Sequence, residues 1–122
     1  MDISNGAAAE LWQAAVAGKF RLEAGAAREC AAHFDWFAGM MGERRREVRD
    51  LERLEGFGGF DSAQQLQAGF ARKATQGAEV LAATQEAALR IKASILRAGG
   101  LLEDADAANA EAVRAAGQEI AS

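Results

Sequence analysis

A run of 122 residues without one proline, interrupted near its midpoint by Gly56-Phe57-Gly58-Gly59-Phe60, constrains the fold of this chain more than any other feature. Proline inside a helix removes a hydrogen bond and clashes with the preceding turn, at about 3 kcal/mol. Its absence leaves two long stretches free to stay helical, and the glycines supply the bend between them. The spacing predicts one all-α domain over residues 1–122, a long antiparallel helix-turn-helix hairpin with helices at about 6–54 and 62–117 and a turn at 55–61. A break or kink is expected in the second helix at Gly99-Gly100. A hairpin of two long helices buries one stripe per helix, so it is expected to complete a four-helix bundle as a dimer.

Composition supports helices that approach closely. Alanine is about a quarter of the chain, while charged residues make up 26%. Small residues favour helix and close backbone approach more than deep burial of bulk. The 14 basic and 18 acidic residues are spread evenly over both halves. Neither half therefore forms a basic surface for nucleic acid, and Arg44-Arg45-Arg46 is hemmed by Glu43, Glu47 and Asp50. The N-terminal residues lack the charged and apolar regions of a secretory signal, and no stretch is apolar enough to span a bilayer. A soluble chain is expected, either cytoplasmic or secreted by a leaderless route.

Along the first stretch, Ser4 or Asn5 is placed to cap a helix beginning near Gly6. Apolar residues then recur at close to seven-residue spacing. Phe20, Ala27, Phe34, Met41 and Val48 form one row, and Val16, Cys30, Phe37 and Leu51 a second, interrupted by Glu23 and Arg44. Asp61 or Ser62, with Gln64 or Gln65 three residues on, reads as a capping box for the second stretch. There the stripe includes Phe70, Leu81, Ile91 and Ile95. Phe20, Phe34, Phe37, Met41, Phe70, Leu81, Ile91 and Ile95 are the expected partner interface.

Residues fit for chemistry are sparse. Cys30 and His33 lie one turn apart, but two ligands do not make a zinc site, and a buried cysteine beside an interface histidine explains the same spacing. Glu29 stands four residues before His33, not the three of a di-iron bundle motif. Glu103, Asp104 and Asp106 have no neighbouring base or nucleophile. The glycine cluster lacks the strand and lysine of a phosphate loop. No catalytic residue, metal or cofactor is therefore expected, and the chain reads as an interaction protein, not an enzyme.

A helix, a tight turn holding an aromatic residue and glycines, and a second helix in about one hundred residues resemble the Trp-x-Gly helical-hairpin proteins exported by type VII secretion systems, the Esx-like family and its Esp-like relatives. The match covers most of the chain. Phe57-Gly58-Gly59, followed by Phe60, stands where that family places Trp-x-Gly, with phenylalanine for tryptophan. Trp36 lies inside the first helix, with its next glycine at Gly39, and is not that motif. Relatives carry Tyr-x-x-x-Asp or Glu late in the second helix as half of an export signal. Here Leu102 and Asp106 keep the acid and replace the tyrosine. The resemblance implies an export substrate or co-export partner that pairs with itself or with another small helical hairpin and meets the secretion machinery. An alternative from the residues alone is a phasin-like amphipathic protein that coats an apolar inclusion or membrane face.

Overall fold

The computed structural model describes the backbone of residues 2–53 and 55–121, and the side chains of 6–53 and 55–117. Four α-helices follow one another: α1 (Asp2–Val16), α2 (Ala24–Asp50), α3 (Asp61–Ala98) and α4 (Leu102–Ala121). A short 3-10 turn, Leu51–Arg53, extends α2. Among the described residues there is no strand, so the all-α expectation holds. The two-helix description does not, because each expected helix contains a reversal.

Both reversals use the same local device. At the end of α1, Gly18 has φ +75°. The Lys19 N–H donates to the Ala14 carbonyl at 2.9 Å, and the Gly18 N–H donates to Ala15 at 3.2 Å. At the end of α3, Gly100 also has φ +75°. The Leu101 N–H donates to Leu96 at 2.9 Å, and the Gly100 N–H donates to Arg97 at 3.0 Å. These are Schellman caps, in which a left-handed residue lets two N–H groups turn back onto orphan carbonyls. A side chain at either glycine would be strained, since the left-handed region brings Cβ against the following carbonyl. The expected first helix therefore splits at residues 17–23, and the expected kink at Gly99-Gly100 is a full reversal. Apolar Leu101 then packs on the core that includes Leu96, the contact that usually accompanies this cap.

Caps elsewhere differ from those expected. α1 is already helical at Asp2, so Ser4 and Asn5 lie inside it, with side chains outside the described set. α3 is preceded by Phe60 in extended conformation, with no side-chain cap hydrogen bond. Asp61 is consequently the first helical residue, where its charge complements the helix dipole, and the capping box does not form. Leu54, the expected last residue of the first helix, lies outside the described residues.

α3 is the hub. Its 38 residues make a rod about 57 Å long at 1.5 Å per residue. α1, α2 and α4 all pack on it, and among the described residues no Cα of one of these three comes within 8 Å of another. Facing pairs set the directions. Asp35 meets Lys92, and Ala27 lies against Gly99, so α2 runs antiparallel to α3. Glu111 also meets Lys92, while Ala112 and Ala115 cluster with Ala88 and Leu89, so α4 is antiparallel too. Trp12 lies under Arg97, and the Leu22 N–H donates to the Ala98 carbonyl at 3.0 Å, so α1 approaches the C-terminal end of α3 and the chain turns there into α2.

The core is built from methyl groups. Among the described residues every buried apolar side chain is alanine except Leu89, Ile95 and Leu96, and the largest side chain below 2% exposure is Ser94. Alanine costs no side-chain entropy in a helix and lets backbones approach closely, which suits a rod wrapped by three others. Larger residues sit at the seams. Trp12, Phe20, Leu22, Phe34, Ile91 and Leu101 pack, partly buried, on the cluster of Ala27, Ala31, Ala93, Ile95, Leu96, Ala105 and Ala108.

Candidate interaction surface

Equal rise per residue decides where the bundle ends. α4, with 20 residues, and α1, with 15, can flank only about the C-terminal half of a 38-residue helix. Beyond them, the end of α2, its 3-10 extension and the start of α3 project as a two-helix arm closed by the glycine turn. Gly56 and Gly58 take φ +85° and +104° there. Phe57 is half-buried, and its ring meets that of Phe70 at 6.0 Å between centroids, tilted by 51°. Phe60 instead stands 82% exposed.

The arm carries much of the chain's exposed apolar surface. Leu51, Leu66, Phe70 and Val80 are each about half exposed, between 46% and 55%. Val48, Leu51, Phe70, Lys73 and Ala74 line a shallow cavity of about 380 Å³ on one side of the arm. Leu66, Lys73 and Val80 follow one another at seven-residue steps, and Phe70 and Gly77 fill the alternate positions of the same face.

The expected interface residues fall into two groups. Ile95 is buried by the chain's own helices, and Phe20, Phe34 and Ile91 pack on the internal core; Met41 and Leu81 are half-buried. Phe37 and Phe70 are exposed. The stripe read from the sequence is thus largely occupied within the chain, because α1 and α4 fold back onto α3 and supply partners that an unbroken hairpin would lack. Leu51, Leu66, Val80 and Phe60 were not read as interface residues. The seven-residue spacing of Leu66, Lys73 and Val80 was the available signal for two of them.

Leu102 and Asp106 lie one turn apart on α4, both exposed, while Ala105 and Ala108 carry the buried face. Cys30 is half-buried against the core and His33 is exposed. Among the described residues no group of three or more His, Cys, Asp and Glu is placed to hold a metal ion.

Polar features in the body are structural. Lys92, 15% exposed, bridges Asp35 of α2 at 2.8 Å and Glu111 of α4 at 3.0 Å, across the gap between those helices. Burial lowers its pKa, yet the hydrogen bonds and charges of the two carboxylates outweigh that, and the net direction is upward. Arg90 donates through Nε and Nη2 to the Glu86 Oε1, one turn earlier on α3. Trp12, Gln13, Glu86, Arg90 and Asn109 border a cavity of about 400 Å³ lined by α1, α3 and α4. No described helix is long and apolar enough to cross a membrane. No family model, curated protein or solved structure matches the chain.

Proposed function

We propose that this chain is an Esx-like, type VII secretion-associated helical protein that acts by protein–protein contact, as an export substrate or co-export partner. The observation that carries the reading is the arm, two helices joined by an aromatic-and-glycine turn, with an apolar face that the chain leaves exposed. Exposed apolar side chains clustered on a small protein mark a candidate binding surface, here with the charged Lys73 among them. The exposed Leu102–Asp106 pair adds support, since it offers an acid one turn after the position where relatives of this plan carry tyrosine.

The test is export from a host with a type VII system. Tagged protein should reach the medium when a small helical partner is co-expressed, and should stay in the cells when the secretion ATPase is deleted. Equal amounts in the medium with and without the ATPase would overturn the reading. The exposed Phe60, Leu66 and Phe70 also suit the alternative of a phasin-like coat. Flotation of the protein with lipid or polymer particles, abolished by Leu66→Glu, would favour that alternative.

A further inference from the structure

We infer that the cavity bordered by Trp12, Glu86, Arg90 and Asn109 is a small-molecule site, and that its ligand is the guanine base of a nucleoside. The inference is independent of the proposed function, which uses the arm and the turn.

Helix packing creates the cavity. α1 and α4 both pack on α3 but not on each other, and a cavity of about 400 Å³ is lined by all three. Cavities of this size between the helices of a bundle are where small ligands bind, on an apolar wall with a few polar groups. Trp12 supplies the flat apolar wall, beside the buried Ala8. Arg97 lies over the indole at 5.9 Å from the ring centroid and holds it in place. Glu86 and Arg90 are the charged residues of the lining, so the site is neutral.

The polar groups set the chemistry of the ligand. Arg90 donates through Nε at 3.2 Å and Nη2 at 2.9 Å to a single oxygen, Glu86 Oε1. That pairing fixes both side chains on α3 and leaves valences over. Among the described residues, no protein group engages Glu86 Oε2 or the other Arg90 N–H groups. The Glu86 side chain is 18% exposed, and an acceptor sheltered from water forms the stronger hydrogen bond. Read across the pair, the cavity meets guanidinium donors and then two carboxylate oxygens, in the order donor, acceptor, acceptor. Guanine presents the converse along its Watson–Crick edge, the O6 acceptor followed by the N1–H and N2–H donors. Adenine has one donor and one acceptor there. The flat ring stacks on Trp12 as bases do on aromatic side chains.

Asn109 fits the same reading. It borders an α4 face made of Ala105, Ala108 and Ala112, each 0% exposed, where a methyl group would serve packing alone. Its amide, with that of Gln13 on α1, offers donors and acceptors to the remaining ring nitrogens and the ribose hydroxyls. Apart from Arg90 no cation lines the cavity, so a phosphate adds little.

The experiment is a fluorescence titration of the full chain carrying Trp36→Phe, which leaves Trp12 as its sole tryptophan. Trp36 is 67% exposed, so the substitution should leave the fold intact. Guanosine should quench Trp12 with Kd on the order of 100 µM, as suits a ligand of this size in an open site. Inosine, which lacks the N2 amine, and adenosine should each bind at least about fivefold more weakly. Guanosine 5′-monophosphate should bind within about threefold of guanosine. Glu86→Gln should raise Kd for guanosine at least about tenfold, with helix content by circular dichroism unchanged. Glu103→Gln, which removes an exposed acid outside the cavity, should leave Kd unchanged. If Glu86→Gln loses helix content, the ligand series on the Trp36→Phe chain decides alone. No quenching by guanosine at about 2 mM overturns the inference. Equal binding of the three purine nucleosides also overturns it, as stacking without readout of the base, and so does a requirement for the phosphate. Phenylalanine binding more tightly than guanosine overturns it too, by assigning the ion pair to a zwitterion.

Discussion

Gly99→Ala should destabilise the protein although residue 99 has an ordinary backbone. Its φ of −83° suits alanine, so the objection is steric. A Cβ built there collides with the Ala27 Cβ, and meets the Leu96 carbonyl oxygen at 3.5 Å and the Ala24 Cα at 3.6 Å. None of these is the end of a flexible side chain, and Ala27 is 0% exposed. The start of α2 must therefore shift away from α3, and overpacking of this kind costs about 1–3 kcal/mol. Lower unfolded-state entropy returns about 0.4–1 kcal/mol, since Gly→Ala restricts the denatured chain. The net loss should be about 1–2 kcal/mol, a fall in Tm of about 3–8 °C for a chain of this size. Urea unfolding followed by circular dichroism measures it. Ala27→Gly alone should cost up to about 1 kcal/mol through helix propensity. In the Gly99→Ala background it should recover stability, with a coupling of at least about 1 kcal/mol between the sites. A Gly99→Ala protein as stable as the parent, or additive single effects, would refute the close-approach argument.

The two turn aromatics should separate. Phe57→Ala should cost about 1–2 kcal/mol by removing a half-buried ring from Phe70, while Phe60→Ala should change unfolding by less than about 0.5 kcal/mol, as read from urea midpoints. Lys92→Met tests the bridge through pH. Because Lys92 titrates above its ordinary value in the folded state, its contribution is fully present below the unfolded value and is lost as pH rises through the folded one. The stability difference between parent and Lys92→Met should stay constant from about pH 7 to 9 and shrink above about pH 10.4; a constant difference up to pH 11.5 or so would exclude the titration. Leu102→Tyr should alter stability by less than about 0.5 kcal/mol because the site is half exposed. Under the proposed function it should raise export of the chain expressed without a partner, measured as the ratio of protein in medium to protein in cells.

The sequence alone determined that this protein is helical and where its central turn lies. Absence of proline and abundant alanine act residue by residue, and Gly56 to Phe60 can bend the chain without tertiary help. Glycine at positions 18 and 100 was equally visible, but a glycine in a helical stretch is compatible with a straight helix, a kink or a Schellman reversal. Which one forms depends on whether the residues beyond it find a surface. Leu101 finds the alanine cluster around Leu96 and Ala105, Leu22 hydrogen-bonds to the end of α3, and both reversals are fixed by burial that no local pattern encodes. The fate of the apolar stripe follows from the same cause. Ile91 and Ile95 have the periodicity of an open interface, yet they are covered because α1 and α4 return along α3. Phe70, in heptad register with Ile91, and the neighbouring Leu66 and Val80 stay exposed because helices of 15 and 20 residues are too short to reach them. Periodicity states that a face is apolar; the length and direction of neighbouring helices decide whether the chain covers it or leaves it exposed.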